Sequence, residues 1–167
     1  MADYDYETIL TFHKSKYFWK FLNIQMMITD AESLNDSDYK LLLFSAIPDN
    51  FQDTCIDENT GCLKRTDNRL VEITQGFTNV PFSVGIRWLD NGENGFTIYV
   101  DEDVDIPIDD DVSLFVKGVA LVKVNGTSGG NDYVVAFARL STRQECRNSI
   151  SLAKDSDFVG HSSCGGV

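Results

Sequence analysis

With 167 residues, 43% of them hydrophobic and 11% aromatic, the chain is of single-domain length and apolar enough to bury its own core. Its net charge of −12, from 26 acids against 14 bases, argues against non-specific binding to nucleic acid or to an anionic membrane and fits a cation or a partner with a basic face. The first ten residues are acidic, unlike a leader with a basic start and an apolar middle, and no window approaches the roughly 20 apolar residues of a membrane helix, so synthesis in the cytosol is the expectation.

Period-two alternation, the mark of strands with one buried face, recurs along the chain. It is loose from Tyr4 to His13 and cleaner from Leu22 to Thr29, where Leu22, Ile24, Met26 and Ile28 share a face. Between them, Lys14 to Phe21 reads as a strand or as a short helix. Residues 29–38 are a polar connection. Tyr39 to Ala46 is a continuous apolar run of strand length, ended by the turn signal Ile47-Pro48-Asp49-Asn50. Residues 49–68 are polar and irregular and read as the longest loop. A short strand holding Leu70, Val71 and Ile73 follows.

Two hairpins are the clearest features. Phe82, Val84, Ile86 and Trp88 alternate with Ser83, Gly85 and Arg87, and after the turn Asp90–Gly95 the pattern resumes at Phe96, Ile98 and Val100. Val112, Leu114, Val116, Gly118, Ala120, Val122 and Val124 are expected to hold a single face of one long strand. The glycine-rich loop Asn125–Asp132 then leads to its partner, Tyr133–Leu140. No internal repeat and no sustained helical period occurs. The expected fold is all-β: an antiparallel β-sandwich or jelly-roll-like domain over residues 1–146. Residues 147–167, rich in Ser, Gly and Asp, are expected as a flexible or partner-docked tail.

Chemistry-bearing motifs are scarce. Seven of the eleven residues from Asp101 to Asp111 are acids. This segment reads as a charged connector, as a contact for a basic partner, or as a weak Ca²⁺ loop lacking the helical-hand spacing. Tyr17, Phe18, Trp19 and Phe21, edged by Lys14, Lys16 and Lys20, read as core or as an interface anchor before they read as a stacking platform for nucleic acid. Cys55, Cys62, Cys146 and Cys164 show no CxxC spacing, and only His13 and His161 could join them, so zinc is not expected. Cys55 and Cys62 flank a polar turn that could bring them close; free thiols are the default expectation, with a disulfide formed after cell lysis as the alternative. His161 and Cys164 sit in a Gly/Ser stretch that supplies no geometry for a catalytic dyad. No GxSxG, phosphate loop, GxGxxG or HExxH occurs. No residue is singled out as catalytic, cofactor-binding or metal-binding, and a non-enzyme is the expectation. The bases cluster near the start (Lys14, Lys16, Lys20) and near the end (Arg139, Arg143, Arg147), with the acids between. That polarity suits association with a partner or with a second copy.

The segments Lys117–Gly126 and Asp132–Thr142 resemble hairpins in small virion proteins of tailed bacteriophages, especially minor capsid proteins of gut phages. The resemblance covers about 30 residues and carries over no functional residue. It implies a structural virion component, made in the host cytoplasm and placed on the capsid. The implied role is an auxiliary or decoration protein that holds the lattice by contacts with other virion proteins, above all the major capsid protein. No nucleic acid, membrane or cofactor is implied. The other expectation is a carbohydrate- or Ca²⁺-binding β-module, as in head-fibre or adhesin domains, with Trp19, Trp88 and Tyr99 as sugar-stacking candidates.

Overall fold

The computed structural model describes residues 5–9, 13–14, 39–59, 61–89, 95–124, 132–154 and 161–165, with 5–9, 13–14, 86–89, 95–98 and 161–165 described as backbone. The strands expected at Leu22–Thr29 and the open segment from Ser15 to Phe21 lie outside these residues. The chain is all-β, as expected. Its strands are β1 (Asp5–Ile9), β2 (His13–Lys14), β3 (Tyr39–Ala46), β4 (Val71–Glu72), β5 (Val84–Leu89), β6 (Gly95–Val100), β7 (Val104–Pro107), β8 (Leu114–Lys123), β9 (Tyr133–Cys146), β10 (Ser149–Leu152) and β11 (His161–Gly165). A single short helix among the described residues, α1 (Phe51–Thr54), follows β3.

Among the described residues, three antiparallel sheets form, with orders β2-β9-β8-β3-β4, β1-β11-β10-β7 and β5-β6. β3, the second half of β8 and the first half of β9 are covered on both sides, which is why Tyr39–Ala46 reads as a continuous apolar run. On one face Tyr39, Leu41 and Leu43 join Val84, Val100, Val104, Ile106, Ile150 and Leu152 in a single core. On the other face Leu42 and Phe44 meet Ile47, Phe51, Cys55, Ile56 and Leu63. The rings of Phe44, Phe51 and Phe137 meet there at centroid separations of 6.1 and 5.0 Å. Residues 49–68, expected as a loop, thus build one wall of a second core. Their apolar residues are too irregularly spaced to announce it.

The single face expected along β8 is not what forms. Leu114 and Val116 share the first core with Val119 and Leu121, while Ala120 and Val122 face the second. The phase changes between Val116 and Gly118, where the register to β9 jumps from Gln144 to Arg139. A bulge of this kind resets which side chains face inward. Lys117 spans it, donating from Nζ to the carbonyls of Leu140 (2.5 Å) and Ser141 (2.6 Å). Gly118 is required beside it: a Cβ there would lie 2.8 Å from a methyl carbon of Ile47.

The stretch 147–167 carries β10 and β11. Ile150 and Leu152 are buried, and β11 is an interior strand between β1 and β10. Its composition, His-Ser-Ser-Cys-Gly, has too little alternation to read as a strand.

Candidate acidic cleft

The acidic segment is not a plain connector, because β7 lies inside it. Val104, Ile106 and Ile108 are buried, while Asp105 and Pro107 are exposed. Alternation was present in Val104-Asp105-Ile106-Pro107-Ile108, and the density of carboxylates obscured it. β7 pairs with β10, with Asp105 opposite Ser151 and Ile106 opposite Ile150.

Beside β7 runs a cleft of about 490 Å³ lined by Val80, Pro81, Phe82 and Ser83 on one wall and by Asp101 to Asp105 on the other. The two walls are tied at both ends. Thr78 N donates to Pro107 O (2.9 Å), next to a bridge between Phe77 and Ile108. At the other end Asp101 N donates to Ser83 O (3.5 Å). Pro81 has no N–H to give, so its wall cannot complete a ladder across the gap. Buried Phe82 and Val104 form the apolar floor, while Glu102, Asp103 and Asp105 are exposed at the rim and Asp101 is half-buried. Sequence reasoning singled out the acids but missed Val80–Ser83; Pro81 before an alternating run was the available signal.

Two of the four carboxylates are positioned by β10 and the residues after it. Asp103 Oδ1 accepts from Lys154 N (2.8 Å), and Asp105 Oδ1 accepts from Ser151 Oγ (2.5 Å). Among the described residues no group of three His, Cys, Asp or Glu side chains is placed to hold a metal ion. What the arrangement offers is a strip of fixed negative charge over an apolar floor, suited to a cationic side chain. Close to this wall, Asn79 Oδ1 is buried and has no hydrogen-bond partner, a costly state for an amide oxygen.

The basic cluster near the end is largely engaged within the chain. Arg139 pairs with Asp49. Arg147 donates to Glu145 Oε1 (2.5 and 2.8 Å) and to Ser113 Oγ (3.0 Å), and these contacts with Arg147 and Ser113 hold the Glu145 carboxyl below its ordinary range. Arg143 is exposed. The Tyr17–Phe21 patch, with Lys16 and Lys20, lies outside the described residues, as does Trp19. Tyr99, a candidate for sugar stacking, has its ring over Gly85, where a Cβ would come within 2.2 Å of it.

The cysteines divide. Cys55 and Cys62 are thiols, on a tight turn where Ile56 bridges Leu63. Lys64 N bonds Cys55 O, and Asp57 N bonds Cys62 O. The two cysteines are therefore diagonal across the pair, a separation of roughly 7–8 Å between Cα atoms, beyond the usual reach of a disulfide. Burial pushes the Cys55 thiol pKa up, which keeps it protonated and inert. Cys146 departs from expectation: it is buried and disulfide-bonded. His161 and Cys164 open and nearly close β11 on the backbone, three positions apart.

No family model, no curated protein and no solved structure matches this chain. Among the described residues, no helix is long and apolar enough to cross a membrane.

Proposed function

We propose that this chain is a structural virion component that works by contact: an auxiliary capsid (decoration) protein docked on the capsid lattice through its acidic cleft. The observation that carries the reading is the cleft itself. Its walls join at both ends and part between, and they hold four carboxylates above an apolar floor. A Lys or Arg side chain from a lattice protein fits such a site, its stem against Phe82 and Val104 and its head among the acids. Contacts of this kind act chiefly on association rate and register. Repetition over a lattice makes a weak single contact sufficient. The ion pairs that Arg139 and Arg147 make within the chain favour a different protein as partner over a second copy.

Co-sedimentation with assembled particles of the virus whose genome carries the gene tests this. Wild type is expected to sediment with the particles and to be released as salt is raised. A variant carrying Asp101→Asn and Glu102→Lys is expected to bind about 10-fold more weakly, the factor for 1.4 kcal/mol. Wild type that stays in the supernatant, and is absent from purified particles by mass spectrometry, would sink the reading.

A further inference from the structure

We infer that the acidic cleft takes an extended segment of another protein, alternately basic and apolar, which adds as a further strand to the outer edge of β7. The inference rests on the reading of the cleft as the contact site and names the form of what binds there. It does not require that partner to be a capsid protein.

β7 is the terminal strand of its sheet. Along an antiparallel strand, successive residues turn their N–H and C=O groups to opposite edges. Ile108 N donates to Asn148 O (2.8 Å). By that alternation Ile106 and Val104 also turn theirs towards β10, and Asp105 and Pro107 turn theirs outward. Pro107 O accordingly accepts from Thr78 N (2.9 Å) on the outer side, and next along, Asp109 N donates to Gly76 O (2.9 Å). Phe77 is opposite Ile108, so the same register carried on would set Val80 opposite Asp105, with two backbone bonds exchanged between them. Among the described residues neither bond forms, and the walls part into the cleft of about 490 Å³. Asp105 is left with an N–H and a C=O on an open strand edge. Such an edge is a template for an incoming strand.

The surroundings of that edge select what can add to it. Side chains along an added strand alternate between the two faces of the sheet. On one face are the exposed carboxylates of Asp103 and Asp105, each held by a hydrogen bond, from Lys154 N and Ser151 Oγ. Val104 and Phe82 are buried as the apolar floor. Lys or Arg at every second position, with small apolar residues between, matches both, because opposite charges on neighbouring strands attract. β7 is 4 residues long and the walls rejoin at both ends, so the paired stretch is short and the charges carry much of the selection. Arg139 and Arg147 are engaged with Asp49 and Glu145, which favours another protein over a second copy.

Calorimetry and amide hydrogen exchange on the full chain decide this, with the peptide acetyl-Lys-Val-Lys-Val-Lys-Val-amide as probe. Binding is expected. N-methylation of all the lysines, or of all the valines, strips the donors from one edge of the peptide and leaves its charge unchanged. At least one of these two forms is expected to bind about 10-fold or more weakly. The Asp105 amide is expected to exchange at least about 10-fold more slowly in the complex. Absence of binding, equal binding of all three peptides, or an unprotected Asp105 amide overturns strand addition. Protection of Asp105 in the protein alone that rises with its concentration makes a second copy the occupant and overturns it too. Co-sedimentation separates this from the capsid reading. Particles that retain the protein while the peptide results fail leave the cleft a contact for side chains only. Peptide results that hold while particles do not retain the protein uphold strand addition and sink the capsid role.

Discussion

The β3-β8-β9 centre and the β7 rim are made of opposite materials. At the centre, Leu41 to Phe44 and Val119 to Val122 are buried whichever way they point, and uncharged apolar side chains pack both faces of their ladders. At the rim, Val104 and Ile106 point inward while carboxylates point out, two of them fastened by hydrogen bonds to β10 and Lys154. The difference separates stability from contact. Charge can be concentrated at the rim because the centre does not depend on it, and a change in one region should leave the other's property intact.

The sharpest way to break that division is at the centre. Phe51 is 1% exposed and packs on Phe44 and Phe137. Phe51→Ala is expected to cost about 4 kcal/mol, the usual range for emptying a buried aromatic site, read by denaturant unfolding. A cost below about 1 kcal/mol would show that the 49–68 wall is not part of the fold's stable core. Gly118→Val comes next. Its Cβ would strike Ile47 and approach the Ala138 carbonyl at 3.1 Å, for an expected loss of about 2–3 kcal/mol by overpacking.

A smaller effect concerns Asp67. Side-chain and backbone hydrogen bonds from Arg69, with a further one from Thr54, hold its carboxyl well below the ordinary carboxylate range. Arg69 also reaches Asn50 Oδ1 (3.2 Å), so this pair braces the wall of the second core. A folded pKa below the unfolded one gives stability that is present above the unfolded value and lost as pH falls through the folded value. Unfolding measured down an acid series should therefore show wild type losing stability below the ordinary carboxylate pKa. Asp67→Asn should give a flatter acid limb, and an identical limb would contradict the brace. The smallest change is expected at Phe115, which is 50% exposed on β8. Phe115→Ser should alter stability by no more than ~0.5 kcal/mol.

How legible this was in the sequence follows from the same physics. Both hairpins were readable, since glycine-rich sequence separates β5 from β6 and β8 from β9, and the strands alternate cleanly near it. β3 was readable as a buried run. The bulge at Val116–Gly118 was not, because Val112 to Val124 keep an unbroken apolar phase in sequence while β9 imposes the shift. The second core was hidden because Phe51, Cys55, Ile56 and Leu63 follow no period. β10 and β11 were hidden because their serine-rich sequences alternate weakly, while their outer partners, β7 and β1, are distant in the chain. Of the cleft, one wall was legible as acids. The other offered only Pro81 ahead of an alternating run, and its place beside β7 rests on long-range bonds, Thr78 N to Pro107 O and Asp101 N to Ser83 O.

Carboxylate-to-amine cross-linking of assembled particles, read by mass spectrometry, tests the proposed contact through the acidic cleft. Links from Asp101, Glu102 or Asp103 to lysines of a lattice protein are the expected result. Particles that contain the protein but link it only through other surfaces, with the carboxylates of the cleft unreacted towards any neighbour, would contradict it.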